Sequence, residues 1–345
     1  MNPTYDFTRT PETDPLDIYR QRDGLYAVDL LTAAVARFDF FTWLSGKSAS
    51  NADICAHFGF HARPVDVMLT LFASMGLLVR DGDNVKLTQK AQEHLVKGSP
   101  WNLAPYYASL KERPVAIDFE TVLRTGRPAN WSSLKSEKEW AKAIEDEAFA
   151  NQFTAAMDCR GLYLGPALAR ALELSKHHRL LDIAGGSGIY SCAIAGHHLH
   201  LNATVLEKAP VDEIARRNIG QRGFTSRVSV ATGEMFSLPL PADHDVHLIS
   251  NVLHDWDVPK VRQLLEKSFA ALPNGGLLAV HDVHINEEKT GPYPAAAYSA
   301  LLSNITEGKC YSIGEMRDML TVAGFVGMQF NLTAADRSVI TARKE

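Results

Sequence analysis

The stretch LLDIAGGSG (residues 180–188) joins an apolar run to an acidic residue and then to three glycines within four positions. An apolar run that ends in glycines is typical of a buried strand that turns sharply into a helix. Further short apolar runs follow along the chain, separated by segments with helical periodicity. This alternation predicts an α/β fold in which helices cover both faces of a mostly parallel, doubly wound sheet. The predicted strands are HRLLDIA, NATVLE, RVSVATG, HDVHLISNVL and GGLLAVHDVHI (residues 178–184, 202–207, 227–233, 244–253 and 275–285).

Polar side chains stand where each predicted strand ends. In chain order they are Asp182, Glu207, Glu234, His254, and the neighbours His281 and Asp282. The carboxyl ends of parallel strands meet at one edge of a sheet, and ligands of such sheets bind there. A solvated edge would carry some polar residues by chance, but an unbroken and mostly acidic series favours one shared pocket.

The glycine turn departs from the fingerprint of dinucleotide-binding proteins. In the pattern G-x-G-x-x-G/A, the third small position falls on Ser191, and Asp182 would repel a pyrophosphate at the helix start. A ligand with a carboxylate and an amino group fits better, because the turn amides can bind the carboxylate and Asp182 can accept from the ammonium group. Glu207 suits a ribose diol. The sequence therefore predicts S-adenosylmethionine as cofactor, and a nicotinamide-dependent oxidoreductase is the less favoured alternative.

The amino-terminal hundred residues have the pattern of a winged helix. RPVDVMLTLFASMG (residues 63–76) repeats apolar side chains on one helical face, and LLVRDGDNVKLT (residues 77–88) predicts a hairpin. A DNA-reading helix would carry Arg, Lys, Asn and Gln, whereas here Arg63 is the single basic residue, and residues 1–100 hold ten Lys and Arg against twelve Asp and Glu. We therefore expect this domain to pack on protein. A winged-helix regulator that senses a metabolite is the alternative of another class.

Composition and charge set the broad class of protein. The 345 residues are 46% hydrophobic and 22% charged, with a formal net charge of -5. The protein therefore lacks the excess positive charge that binding to nucleic acid or an anionic membrane requires, and we expect neither as a partner. Four scattered cysteines without a CxxC pair predict reduced thiols. With no signal-peptide pattern or long apolar run in the sequence, we expect a cytoplasmic protein of two domains.

Several motifs together resemble one known family. LLDIAGGSG is followed in order by VLEKAPV, GEMF, NVLHDWDVPKVRQLLEKSFAALPNGG and TEGKCYSIGEMRDMLTVAGF. This series resembles the small-molecule methyltransferases typified by plant caffeate O-methyltransferases and animal acetylserotonin O-methyltransferase, over nearly the whole chain. The resemblance implies an S-adenosylmethionine-dependent enzyme that forms a homodimer. It also implies three regions: an all-helical winged-helix dimerisation domain with an amino-terminal arm (1–100), a helical linker contributing to the acceptor pocket (101–176), and a Rossmann-like class I methyltransferase domain (177–345).

The resemblance assigns expected roles to individual residues. Those expected to bind the cofactor are Asp182, Gly185, Gly186, Gly188, Glu207, Glu234, Met235 and Ser250. Those expected to contact a small-molecule acceptor are Phe153, Met157, His281, Asn304 and Cys310. His254 in the motif LHDW occupies the position of the family's general base, which would take the proton of an acceptor hydroxyl.

Two departures from the family leave the transfer chemistry open. The family orients its base with two carboxylates; the first falls at His281 with Asp282 adjacent, and the second falls on Cys310, whose thiol cannot polarise an imidazole. Either Asp255 or Asp282 takes over that catalytic role, or the acceptor needs no base. A thioether is already nucleophilic, and the same carboxylates could offset the charge of its sulfonium product. We rank transfer to oxygen first, then to sulfur, with an activated carbon as a third option.

The histidines and carboxylates of these motifs also raise the question of a metal. His281 and His284 are an odd number of positions apart on a predicted strand, so they point to opposite faces. No H-x-x-x-H or Cys/His spacing accompanies them. We therefore expect no metal.

Overall fold

The structure of the chain is a computed structural model, and it describes residues 6–7, 9–129 and 146–345. The first half of the chain is mainly helical. The helices described there are α1 (Leu16–Asp23), α2 (Ala27–Thr32), α3 (Phe40–Leu44), α4 (Asn51–Phe58), α5 (Ala62–Ser74), α6 (Gln89–Leu95), α7 (Ala104–Ala108), α8 (Pro114–Thr125) and α9 (Glu147–Ala171). A π-helical turn, Ala33–Arg37, continues α2.

A small antiparallel sheet accompanies these helices. Its strands are β1 (Ala49–Ser50), β2 (Leu78–Asp81) and β3 (Asn84–Leu87), in the order β1-β3-β2. Strands β2 and β3 pair directly, with Asp81 opposite Asn84, so the predicted hairpin is confirmed. The expectation of an all-helical domain is wrong in this respect. Strand β1 is only two residues long and leaves no periodic signal; its pairing with β3 depends on tertiary contacts.

The second half of the chain forms a seven-stranded sheet. Its strands are β4 (Arg179–Ile183), β5 (Asn202–Glu207), β6 (Val228–Thr232), β7 (Val246–Ser250), β8 (Leu277–Asp282), β9 (Val326–Leu332) and β10 (Ser338–Arg343). Their order is β6-β5-β4-β7-β8-β10-β9. The first five pair in parallel, and β10 runs antiparallel to both β8 and β9. The mostly parallel sheet and its five predicted strands are confirmed, while β9 and β10 are additions.

Helices cover both faces of this sheet, as predicted for a doubly wound fold. They are α10 (Ile189–His197), α11 (Val211–Gln221), α12 (Val258–Ala271), α13 (Tyr293–Ile305) and α14 (Ile313–Ala323). Leu180 and Leu181 are both fully buried but belong to different core clusters, one packed with α9 and α10 and the other with α12 and α14. Successive strand residues point to opposite faces, so the sheet needs a layer on each.

Helix α13 connects the two halves of the chain. Its alanines and leucines lie in the same buried cluster as the apolar face of α5, including Met68 and Phe72. Arg63 is also used within the protein: its Nη1 donates to the carbonyl oxygen of Gly308 at 2.7 Å and its Nη2 to that of Gly126 at 2.9 Å. Helix α5 is the one that would read DNA in a winged-helix protein. Its single basic side chain, Arg63, is therefore hydrogen-bonded to backbone carbonyl groups of the protein itself. The boundaries at residues 100 and 176 stay predictions.

Membrane insertion has no structural support in the part of the chain that is described. None of the helices there combines the length and the apolar character that a bilayer span requires.

Candidate active site

The carboxyl ends of the parallel strands open into a cavity of about 1210 Å³. The sheet edge forms one wall, and side chains of α9 and α13 form the other. The predicted site residues that line it are Phe153, Met157, Gly185, Gly186, Glu207, Glu234, Met235, Ser250, His254 and Asp255. Six others, Asp182, Gly188, His281, Asp282, Asn304 and Cys310, lie outside that lining. The structure thus places most of the predicted residues around one space, with the remainder outside its wall.

The turn after β4 holds a buried carboxylate beneath it. Ser191 Oγ donates to Asp182 Oδ2 at 2.8 Å, while Asp182 Oδ1 is buried without a hydrogen-bond partner among the described residues. Burial raises the pKa of Asp182 to about 7. A Cβ at Gly185 would lie 2.6 Å from this carboxyl group, so only glycine lets the turn pass so close. An adjacent positive group would stabilise the ionised form of Asp182.

Glu207 ends β5 directly beside this turn. Its Oε2 accepts from the amide of Gly186 at 3.1 Å and its Oε1 from the amide of Lys208 at 2.9 Å. Each carboxylate oxygen has two lone pairs, so both retain capacity for hydroxyl donors in the cavity. Burial raises the pKa of Glu207. The side chain is held rigidly and faces the ligand space.

The turn after β6 forms the far end of the cavity. Glu234 Oε2 accepts from the amides of Phe236 and Ser237 at 2.9 and 2.7 Å, and so closes this turn. The Phe236 ring packs edge-on against Trp256, with the ring centroids 4.8 Å apart. Together with Met235 these rings give that end of the cavity an apolar wall, which suits a flat aromatic group.

His254 is the titratable side chain best placed for acid–base chemistry. It lies in a short 3-10 turn, Leu253–Asp255, after β7. Its Nδ1 contacts Asp282 Oδ1 at 2.5 Å, and its Nε2 lies 3.6 Å from Asp255 Oδ1. Because Asp282 holds Nδ1, the imidazole keeps Nε2 on the side of Asp255, which lines the cavity.

The charges around His254 adjust its protonation. Burial lowers the pKa of His254, but the carboxylates of Asp282 and Asp255 outweigh it, so the net effect is a raised pKa. Burial also acts against the ionised form of Asp282, yet the imidazole holds the pKa of that carboxyl below its usual value. Desolvation raises the pKa of Asp255. An ionised Asp282 beside His254 is therefore the stable arrangement, with Asp255 more easily protonated.

The sequence left open whether position 281 or position 282 supplies the group that orients His254. In the structure Asp282 contacts the His254 imidazole. His281 instead bonds Ser250 Oγ through Nδ1 at 2.9 Å and Thr333 Oγ1 through Nε2 at 3.1 Å. Burial lowers the pKa of His281 to about 3, so it stays neutral. Its expected contact with the acceptor stays a prediction.

Cys310 is buried outside the cavity wall. Its amide donates to Ser299 Oγ at 3.1 Å, and burial raises the pKa of its thiol well above the usual value. The group is therefore a neutral thiol and cannot serve as the second orienting carboxylate. Within the described residues, no cluster of three or more His, Cys, Asp and Glu side chains is placed to hold a metal ion.

The segment TEG before Cys310 supports the His254 turn from behind. Thr306 Oγ1 donates to the carbonyl oxygen of Leu302 at 2.9 Å and also lies 3.3 Å from the carbonyl oxygen of His254. A Cβ on Gly308 would overlap that same carbonyl group. Glycine at position 308 therefore lets the two backbone segments approach closely, and this contact helps to set the position of His254 at the cavity.

Some cavity residues were missed in the sequence. Asn251 adopts a left-handed backbone conformation (φ 54°), and its Nδ2 donates to Tyr190 Oη at 3.2 Å. Its position just before the LHDW motif could have marked it as a residue of the cavity. Arg160 lies on α9 three positions after Met157, so it continues the helix face that carries Phe153 and Met157. Tyr298 sits in an alanine-rich helix and gave no signal.

Comparisons with known proteins agree with this geometry. A family described as an O-methyltransferase domain matches residues 118–326. The chain is 29% identical, over 87% of its length and 86% of the relative's, to 3-hydroxy-5-methyl-1-naphthoate 3-O-methyltransferase of Streptomyces sahachiroi. It is 28% identical to the tetracenomycin polyketide synthesis 8-O-methyl transferase TcmO of Streptomyces glaucescens, over 97% and 99% of the two chains. The solved structure of an O-methyltransferase family 2 protein from Planctomyces limnophilus DSM 3776, in complex with apigenin, superposes with a TM-score of 0.87 at 29% identity and covers 99% of both chains.

Proposed function

The chain belongs to the O-methyltransferase family, and from that premise we propose that it methylates a hydroxyl group of a small organic acceptor, with His254 as general base. The observation that carries the proposal is the contact of His254 with Asp282 at the wall of the cavity. This pair is the arrangement that removes a proton from a hydroxyl: a carboxylate orients the imidazole and stabilises its charged form.

The cofactor of this methyltransferase is S-adenosylmethionine, and the residues around the glycine turn suit it. Asp182 Oδ1, Ser187 Oγ and Asn251 Oδ1 are buried polar atoms without a partner among the described residues. We assign the turn amides and Asp182 to the methionine portion, Glu207 to the ribose, and the apolar end beside Met235 to the adenine. When bound, the cofactor would supply a methyl group on a sulfonium sulfur, and the neutral thioether that remains after transfer is a good leaving group.

The chain's own residues then have two tasks. The first is alignment, because in-line transfer depends on the position of the acceptor, an effect worth up to about 7–11 kcal/mol in model systems. Phe153 and Met157 on α9 line the cavity, and we assign them to this task. The second is proton removal: His254 Nε2 takes the hydroxyl proton, while Asp282 on Nδ1 stabilises the imidazolium.

An aromatic hydroxyl is the acceptor class that the relatives' names support. One relative is named for a hydroxynaphthoate and one solved structure holds apigenin. The aromatic lining of this cavity, with Phe149, Phe153 and Tyr298 on its wall, suits such a ring. Transfer to a thioether would need no base, and the experiment below separates the two.

The amino-terminal domain is proposed to form the dimer interface of a cytoplasmic homodimer. Several large apolar side chains are exposed there and in the first residues of the adjoining linker region: Leu25 and Val28, then Trp101, Leu103 and Tyr106. Large exposed apolar side chains mark an association surface. Light scattering on the purified chain should give twice the mass of 38.0 kDa, and a monomer at micromolar concentration would reject this part of the proposal.

The experiment is incubation with methyl-labelled S-adenosylmethionine and a panel of phenols, hydroxy acids and thioether acids, read by mass spectrometry. We expect label on the oxygen of a phenol. His254→Ala should lower turnover on that acceptor by about 10²–10⁴-fold, while His197→Ala, on the surface at the end of α10, should not. Full turnover by His254→Ala with cofactor bound would reject the base, and label found on sulfur would favour the thioether.

A further inference from the structure

Arg160 is a cation of the cavity wall that the proposed chemistry does not use. It lies on α9 and lines the cavity together with Phe153 and Met157. Its Nη1 reaches Tyr298 Oη at 3.5 Å, at the limit of a hydrogen bond. Its Nε is buried without a hydrogen-bond partner among the described residues. A guanidinium has five N–H donors, so most of its donor capacity remains for a ligand.

The protein offers this guanidinium little negative charge. No carboxylate of a described residue lies within ion-pair distance of Arg160, and Asp23, which acts on it electrostatically, is already bonded to Arg337 Nη2 at 2.8 Å. A half-buried arginine remains charged at any physiological pH. Leaving it unpaired at an apolar wall is costly, and a ligand carboxylate would remove that cost through a bidentate contact.

We propose that Arg160 binds a carboxylate of the methyl acceptor, so that the substrate is a small aromatic hydroxy acid whose hydroxyl faces His254. This inference rests on the proposed function, because it names the substrate class of the same site.

Its position favours the acceptor over the cofactor as the source of the carboxylate. In the glycine turn the amides of Gly186 and Gly188 are engaged by Glu207 and by the carbonyl oxygen of Gly185. The amides of Gly185 and Ser187 remain for the methionine carboxylate, on the sheet side of the cavity. Arg160 instead lies on the face of α9 that carries Phe153 and Met157. Its charge contributes a lowering effect to the pKa values of both His254 and Asp255. A carboxylate on Arg160 would therefore anchor one end of the acceptor while the other end reaches the histidine.

The test is a binding measurement that does not depend on turnover. Protein saturated with S-adenosylhomocysteine is titrated by calorimetry with 3-hydroxy-2-naphthoate, 4-hydroxybenzoate and the primary amide of each. We expect each acid to bind about 10- to 100-fold more tightly than its amide, the value of a charged hydrogen-bonded contact. Arg160→Gln should remove this preference, and Arg160→Lys, which keeps the charge without the fork, should retain part of it. Arg170→Gln, the same change on the exposed end of α9, should leave it intact.

Two kinds of result would overturn the assignment. The first is equal affinity of acid and amide for the unaltered protein, or an acid preference that survives Arg160→Gln. The second is a loss of S-adenosylhomocysteine affinity in Arg160→Gln, which would place the cofactor carboxylate on this arginine. Failure of the proposed function would look different: the acid preference would persist in the titration while no labelled methyl group reached any hydroxyl.

Discussion

Replacing Asp282 by asparagine tests the catalytic pair without removing the histidine. The carboxylate lies 2.5 Å from His254 Nδ1, and both side chains are only 6% exposed. Removing one partner of a buried charged pair costs about 3–5 kcal/mol. The imidazolium that needs the carboxylate forms only as the proton moves, so most of this cost falls on the transition state. At about 1.36 kcal/mol per factor of ten, kcat should fall about 100- to 5,000-fold.

The pH dependence gives the sharper readout. In the unaltered enzyme burial lowers the pKa of His254 but the two carboxylates raise it above the ordinary 6.5. A base must be neutral, so kcat should rise with pH through a value above 6.5. In Asp282→Asn one of the two carboxylates that raise the pKa of His254 is gone. The inflection in the dependence of kcat on pH should therefore move to lower pH.

The assay is the formation of S-adenosylhomocysteine from pH 5 to 9, with cofactor affinity measured in parallel. Asp318→Asn, an exposed acid on α14, is the matched control and should change neither value. Unchanged kcat in Asp282→Asn across this range would refute the base mechanism. A lower kcat with an unmoved inflection would show that the carboxylate only supports the fold.

Three further substitutions test other parts of the site and its frame. Gly308→Ala should lower kcat at least about tenfold with cofactor affinity unchanged, because the new Cβ displaces the carbonyl of His254; normal kcat would contradict the packing argument. Cys310→Ser should change kcat less than about threefold, since the thiol is neutral and outside the cavity wall; a large loss would restore its predicted contact with the acceptor. Asp66, bonded to Lys309 and with its pKa lowered to about 2 by neighbouring lysines despite burial, should contribute about 2 kcal/mol. Urea unfolding of Asp66→Asn should show that deficit at neutral pH and a shrinking one as pH falls from about 4 towards 2; an equal deficit at both ends would contradict it.

The parallel strands and their carboxyl ends could be predicted because local pattern controls them. Apolar runs bounded by turn residues are local features, and Asp182 and Glu207 stand at the strand ends regardless of packing. Strand β9 could not be found in the same way. Its side chains are mostly exposed and carry little alternation, and its place at the sheet edge depends on pairing with β10.

The acceptor side of the cavity was harder to predict than the cofactor side. Arg160 and Tyr298 come from α9 and α13, which are far apart in sequence, and their approach depends on how those helices pack. The orienting partner of His254 was uncertain by one position, and a shift of one residue on a strand reverses the face. Only the three-dimensional register of β8 shows that Asp282 points to the imidazole and His281 away from it.

Calorimetry with S-adenosylhomocysteine measures whether the turn after β4 and the acid that ends β5 hold the cofactor. We expect saturable binding with one site per chain, weakened about 10- to 100-fold in Glu207→Gln. Affinity should be unchanged in Glu213→Gln, which alters an exposed acid on α11. No binding at millimolar ligand, or equal affinity in Glu207→Gln, would contradict it.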